Sequence, residues 1–301
     1  MTKLGPYEVG PNDTMENGIF LGDCRELAKA IPDESIDLIY LDPPFNSNRV
    51  YNVLDNNKQI KAFEDIWKWD KVSIESYQEI IDLGDHVSCI MQTFQTLLGN
   101  SNMLAYLSMM APRLVELRRV LKSTGSIYLH CNPTASHYLK LLMDVIFGVN
   151  NFRNEIVWSY ASGGASKRHF AKKHDIIFRY TINNHFIFNI MREPYATPNV
   201  ERRSGFHPDG RMLTDVWRIS FLSTTASERL GYPTQKPETL MERIIKVSSN
   251  EGDIIFDPFC GSGTTAIVAQ NLDRQYLAFD INTIACKMAR QRTKQIGPLL
   301  F

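Results

Sequence analysis

Asp257-Pro-Phe-Cys-Gly-Ser-Gly-Thr-Thr265 is the stretch from which the fold can be read. The apolar run Asp253-Ile-Ile-Phe-Asp257 that leads into it reads as a strand, and a helix is expected from Thr264 onward. Glycines at 261 and 263 let the backbone approach a ligand closely, and a helix N-terminus offers unpaired N–H groups. A turn of this kind lies where doubly wound sheets bind nucleotide-like ligands, at the carboxyl end of a strand. Asp280 ends the next strand, Gln275-Tyr-Leu-Ala-Phe-Asp280, where a carboxylate can accept both ribose hydroxyls of an adenosine.

Two readings of the turn compete. Gly261-Ser-Gly-Thr-Thr-Ala266 fits the dinucleotide pattern G-x-G-x-x-A, which makes a nicotinamide (NAD(P)) dehydrogenase one of them. The other starts from Asp257, an acid that would face a pyrophosphate badly. It suits the cationic aminopropyl and sulfonium end of S-adenosylmethionine. A P-loop is excluded because no Gly-Lys-Ser/Thr follows. A glycine turn that merely connects strand to helix is common, but an acid before it and an acid after it argue for a ligand.

Outward from the turn the chain alternates strand and helix. Gly18–Asp23 reads as a strand, 24–30 as a helix stopped by Pro32, and Ile36–Leu41 as a second strand. That strand ends at Asp42-Pro43-Pro44-Phe45, since two prolines cannot continue a central ladder. Residues 46–100 are polar and read as a loop, packed down by Phe63, Trp67 and Trp69. Leu104, Leu107, Met110, Leu114, Leu117 and Leu121 recur at helical spacing over 102–121, with Gly125 as a C-terminal cap. A strand at 126–130, a helix at 135–147 and strands at 155–158 and 175–180 follow. Residues 181–230 break the rhythm, and it resumes with helix 238–248 and closes with helix 283–295. The expected fold is α/β with a mostly parallel sheet and helices on both faces. Its expected layout is a catalytic half at 1–180 and a cofactor half at 231–301. A basic insert at 181–230 separates them, with 159–174 as an adjoining loop.

Composition bears on the insert. The 301 residues hold 33 Lys+Arg and 33 Asp+Glu, which argues against a protein held to nucleic acid by bulk charge. The charge is nevertheless sorted: residues 151–230 hold 12 basic and 7 acidic side chains, while residues 1–60 hold 5 and 10. No apolar run approaches the roughly 18 residues of a membrane span, and the first residues do not resemble a secretory signal. Five cysteines without a C-x-x-C are expected to be buried thiols in a reduced cytoplasm, with no metal site.

Asp42-Pro43-Pro44-Phe45 is the sharper chemical signal. Asp42 and the Pro43 carbonyl can accept hydrogen bonds from an exocyclic amine, while Phe45 stacks on the ring that bears it. The tetrapeptide resembles the catalytic motif of amino-group DNA methyltransferases, Asp/Asn/Ser-Pro-Pro-Tyr/Phe/Trp. Residues 257–265 resemble their cofactor motif, and Pro233-Thr-Gln-Lys-Pro237 resembles their Thr-Gln-Lys-Pro element. The order, catalytic motif first and cofactor motif last, is the circularly permuted order of the β group.

The resemblance implies a Rossmann-like, S-adenosylmethionine-dependent methyltransferase fold with an inserted target-recognition region. It implies that Phe259, Gly261, Ser262, Gly263, Thr264 and Thr265 wrap the cofactor, that Asp280 holds the ribose, and that Asp23 lies beside the adenine ring. Lys236 would contact the cofactor, with Asp42 and Asp257 near its amine. The implied reaction is site-specific methylation of adenine N6 in duplex DNA after base flipping, with cytosine N4 as the alternative. Asp in the first motif position leans to adenine, and Phe45 in place of Tyr weakens that lean. Cytosine C5 chemistry is excluded, because none of the 14 prolines precedes a cysteine nucleophile. Lys167, Arg168, Lys172, Lys173, Arg202, Arg203, Arg211 and Arg218 are the candidate DNA contacts, with Arg229 beside them. Double-stranded DNA, a cognate restriction endonuclease and a second copy of the chain are the expected partners. An inactive DNA-binding module is the third reading.

Overall fold

Alternation along the strands decides which helices cover which face of the sheet. In the strand Ile36–Leu41 (β2), Ile39 and Leu41 belong to one buried cluster and Leu38 and Tyr40 to the other. The next strands repeat the pattern: in Leu121–Cys131 (β5), Ile127 and Leu129 face one way and Tyr128 the other. In Gln275–Asp280 (β10), Leu277 and Phe279 oppose Tyr276 and Ala278. A sheet apolar on both faces must be covered on both.

The computed structural model describes residues 3–4, 7–8, 17–55, 58–161, 166–197, 199, 205–223 and 225–294. Its main sheet holds eight strands: Gly18–Leu21 (β1), β2, β5, Phe152–Ser159 (β6), His174–Thr181 (β7), Val216–Arg218 (β8), Ile254–Asp257 (β9) and β10. They lie in the order β8-β6-β7-β5-β2-β9-β10-β1. Every neighbouring pair is parallel except the two that involve β7, which runs antiparallel to β5 and to β6. One face carries Cys24–Leu27 (α1), Lys71–Asp82 (α2), His86–Leu98 (α3), Asn102–Val120 (α4) and Ser136–Phe147 (α5). The other carries Glu238–Ser248 (α6), Thr264–Asn271 (α7) and Thr283–Arg292 (α8). This is the α/β, mostly parallel architecture expected from the alternation.

Three expectations are corrected. Residues 46–100 are no loop: they form an antiparallel hairpin of Arg49–Asp55 (β3) and Lys58–Asp65 (β4), followed by α2 and α3. Val87, Met91 and Phe94 make the buried stripe of α3, which mostly polar neighbours conceal in the sequence. Gly125 caps no helix. α4 ends at Val120 and β5 begins at once, bulging opposite Asp37 so that a Cβ on Gly125 would lie 2.9 Å from the Asp37 carbonyl oxygen. Of the five free cysteines, Cys89 on α3 is exposed and the other four are buried.

Part of the 181–230 stretch joins the sheet. β8 is its edge strand, Trp217 is buried, and Trp158 Nε1 donates to the Ile219 carbonyl at 2.7 Å. Arg192–Glu193 pairs with Arg211–Met212 in a small separate ribbon. The last helix is described to Arg292, and residue 295 of the expected span lies outside the described residues. Among the described residues no helix is long and apolar enough to cross a membrane.

Candidate active site

β2 and β9 run side by side with Phe256 opposite Ile39, so Asp42 and Asp257 reach the same end of the sheet. Each begins a turn, and the two turns are built differently.

The glycine turn is largely self-supporting. Asp257 accepts the Phe259 N–H at 3.0 Å and the Thr265 hydroxyl at 2.5 Å. Asp280 accepts the Gly261 N–H at 2.9 Å and the Asn282 N–H at 2.8 Å. Gly263 has φ of +75°, and a Cβ there would lie 2.7 Å from the Ala289 Cβ, so the turn needs glycine where it backs onto α8. Burial pushes the Asp257 carboxyl up to about 7, against the opposing pull of its two hydrogen bonds. Burial likewise raises Asp280 to about 6.

The Asp42 turn is held from outside. Asp65, buried at the end of β4, accepts backbone N–H groups from Phe45 (3.0 Å), Asn46 (2.7 Å) and Ser47 (2.7 Å), and the Trp67 indole N–H at 3.1 Å. Asn132 Nδ2 donates to the Phe45 carbonyl at 3.0 Å. Lys236 forms an ion pair with Asp42 Oδ2, and its ammonium stands 5.4 Å from the Phe45 ring centroid. The Thr-Gln-Lys-Pro lysine is therefore joined to the Asp-Pro-Pro-Phe motif. Asp42 Oδ1 has no hydrogen-bond partner among the described residues, and His130 Nδ1 lies 3.4 Å from it.

Both turns line one cavity of about 460 Å³, within the usual range of ligand pockets. Asp23, Asp42, Pro43, Pro44, Phe45, Lys236, Asp257, Phe259, Gly261, Ser262, Thr264, Thr265 and Asp280 all contribute to its wall. Gly263 does not; it lies behind the turn. Asp23 caps α1 through the Arg25 N–H and binds Arg113 Nη2 with both oxygens, at 2.8 and 2.6 Å. The acidic, ring-lined wall suits a cation joined to an adenosine: carboxylates at 42, 257 and 280 alternate with Phe45, Phe259 and Tyr232.

The basic residues lie apart from this wall. Because β7 is antiparallel to both neighbours, β6 ends at the same edge of the sheet as β2, and the loop after Ser159 projects from that end. Lys167, Arg168 and Lys172 on it are exposed, and Phe170 between them is 100% exposed. Lys173 is half-buried and donates to the Ala161 carbonyl at 3.3 Å. Arg218 is exposed on the edge strand, and Arg211 is paired with Glu193 at 2.6 Å. Arg229 reaches the Leu222 carbonyl at 3.4 Å. Arg202 and Arg203 lie outside the described residues, as do residues 162–165 of the loop.

Asp65, Arg113, Asn132 and His130 were not picked out by motif. His130 had a signal: it follows the apolar run Ile127–Leu129 in the strand beside the one that leads into Asp42, with Leu41 paired to Leu129. Asp65 had none, because its partners are some twenty residues away and joined to it only by the hairpin.

A family model described as a DNA methylase, of the N6/N4 methyltransferases, matches residues 36–291. The chain is 30% identical over 279 residues to the Type II methyltransferase M.HpaI of Haemophilus parainfluenzae, covering 92% of this chain and 74% of that one. It is 29% identical over 285 residues to the DNA adenine methyltransferase YhdJ of Escherichia coli K12, covering 91% and 81%. Its fold resembles the solved PvuII DNA methyltransferase, titled cytosine-N4-specific, with a TM-score of 0.62 at 16% identity over 95% of this chain and 89% of that one. The dehydrogenase reading of the glycine turn falls with these matches. The chain belongs to the DNA methylase family, the S-adenosylmethionine-dependent methyltransferases of exocyclic N6 and N4 amines in DNA.

Proposed function

We propose that the protein transfers a methyl group to the N6 amine of adenine in duplex DNA at a specific site. The observation that carries this reading is the meeting of the Asp42-Pro43-Pro44-Phe45 turn and the glycine turn across one cavity. S-adenosylmethionine, when bound, supplies an electrophilic methyl carbon on a positive sulfonium. Gly261, Ser262, Thr264 and Thr265 would hold its methionine part beside Asp257, and Asp280 its ribose. Asp23, whose carboxylate also pairs with Arg113, would take the adenine end.

The amine of a base is a poor nucleophile because its lone pair is delocalised into the ring. Asp42 and the Pro43 carbonyl, as two acceptors for its hydrogens, favour a pyramidal nitrogen with a localised lone pair. Phe45 stacks the base, and the remaining work is alignment of nitrogen, carbon and sulfur. The base would leave the duplex to enter this cavity. Exposed Lys167, Arg168, Lys172 and Arg218 at the cavity end of the sheet are the contacts to DNA, and the 181–230 stretch carries target recognition. Five unpaired thiols fit a reduced cytoplasm. The family resemblance carries the further expectations of a partner restriction endonuclease and a homodimer.

Incubation with unmethylated DNA and labelled S-adenosylmethionine, followed by digestion and nucleoside separation, tests the reading. N6-methyladenine is the expected product. N4-methylcytosine would move the assignment to cytosine, the alternative that Phe45 in place of Tyr leaves open. No labelled base on any DNA would overturn both.

A further inference from the structure

A row of rings runs from Phe45 along the carboxyl edge of the sheet. Phe45 stands 5.2 Å from the His130 ring, His130 5.3 Å from Trp158, and Trp158 5.0 Å from Phe221. Tyr160 ends the row, 5.6 Å from Trp158 and 4.0 Å from Phe221, with those last two planes 36° apart. The strand period explains the alignment. Tyr128, Ile156, Trp158, Trp217 and Ile219 belong to one buried cluster on one face of the sheet, and Tyr160, two residues beyond Trp158, packs against it. His130 and Trp158 are fully buried, whereas Tyr160 is half-buried and Phe221 is 39% exposed. The row therefore begins at the cavity and ends at the surface.

The outer pair is held firmly and flanked by positive charge. The Tyr160 N–H donates to the Lys173 carbonyl at 3.0 Å, and its hydroxyl is hydrogen-bonded to Asp175. Trp158 Nε1 fixes the Ile219 carbonyl, two residues before Phe221, at 2.7 Å. Tyr160 opens the loop that carries exposed Lys167, Arg168 and Lys172, and Arg218 is exposed three residues before Phe221. Residues 160–174 hold four Lys/Arg and no Asp or Glu. Aromatic faces among cations are what single-stranded nucleic acid binds: the rings stack a base and the cations meet its phosphates. β6 lies three strands from β2, roughly 14 Å away, so one base cannot lie on both Phe45 and the Tyr160–Phe221 pair.

We propose that Tyr160 and Phe221 form a second nucleobase site, a stacking platform for an unpaired base of the substrate DNA near the one that enters the cavity. The inference rests on the methyltransferase reading above. Drawing one base out of a duplex unstacks its neighbours, and a preformed platform at this distance takes up the face that a neighbour loses. No bond is made or broken there. Stacking uses the π-face that every base has, so the site adds affinity and not sequence discrimination.

The test is equilibrium binding of the full chain to a duplex carrying the site that the wild type methylates, with S-adenosylhomocysteine present. Phe221→Leu keeps apolar bulk and removes the π-face; it should weaken binding about tenfold. The slope of log K against log salt should stay at the wild-type value, because no phosphate contact is lost. Abasic sites placed one at a time around the target base then locate the occupant. At one position, removing the base should weaken the wild type about tenfold and Phe221→Leu hardly at all, since both changes delete the same stack. Phe221→Leu binding as tightly as wild type, or a deficit that persists with every abasic duplex, would overturn the proposal and leave the pair a packing role over Trp158. Should Phe221→Leu fail to match the wild-type melting temperature, Phe221→Trp decides. It should bind no more weakly than wild type and lose affinity at the same abasic position; equal affinity for every abasic duplex overturns the site. A wild-type protein that transfers no methyl group to any DNA overturns the methyltransferase reading instead.

Discussion

The two acid-bearing turns at the end of the sheet are held in place by opposite means. Asp257 is satisfied inside its own turn, by Phe259 two residues on and Thr265 eight residues on. Asp42 is held by Lys236, 194 positions away in sequence, and the loop after it by Asp65 and Asn132. The first turn takes most of its geometry from nine consecutive residues, with Asp280 of the next strand accepting the Gly261 N–H. The second borrows geometry from a hairpin, a neighbouring strand and a distant loop. The glycine turn is made largely locally, while the turn proposed to position the reacting amine is over-determined from several directions.

Substitutions can break this contrast, and the largest effect is expected at Asp42. Asp42→Ala should lower methyl transfer by about 10³-fold, with cofactor affinity within about threefold by calorimetry, because the glycine turn does not lean on it. Asp65→Ala leaves three backbone N–H groups and an indole N–H without their acceptor, although Asp65 lies behind the chemistry. Turnover should fall about 10²-fold, and urea unfolding should show a loss of about 3 kcal/mol.

Asp257→Asn probes the self-contained turn, with an expected loss of cofactor affinity of about tenfold. Its pH signature is sharper. A carboxyl raised from 3.8 to about 7 contributes stability that is fully present below its unfolded value and lost as pH rises through 7. The ligand-free protein should therefore lose stability between about pH 4 and 7, Asp280 adding in the same sense with its value of about 6. Asp257→Asn should flatten that fall, and it should abolish the proton released near pH 7 when a cationic ligand binds, measured in buffers of different ionisation enthalpy. The smallest effect belongs to residues outside both turns. Replacing Lys167, Arg168 and Lys172 by Ala should reduce the salt slope of DNA binding by about one per charge and leave cofactor affinity unchanged.

The same contrast explains what was legible in the sequence. Strand, glycine turn, helix and closing acid follow one another from Ile254 to Asp280, so local pattern sufficed for the fold and for the cofactor side of the cavity. The Asp42-Pro43-Pro44-Phe45 tetrapeptide was visible through its resemblance to the family's motif, since two prolines at a strand end fit a plain turn equally well. Its support was not. Asp65 reaches the loop only because β3 and β4 fold back on it, and Asn132 only because β5 pairs with β2, contacts that no local period encodes. Gly125 misled for a related reason: a glycine after a helix suggests a cap, but here the neighbouring backbone of Asp37 leaves no room for a side chain.

The clip at Asp65 has a kinetic consequence. One carboxylate holds the amide hydrogens of Phe45, Asn46 and Ser47. Those three hydrogens should exchange with solvent as a group, at the rate at which the β3–β4 ribbon lifts from the loop and not at three separate rates. Anything that clamps the ribbon slows all three together and stiffens the turn that follows Asp42.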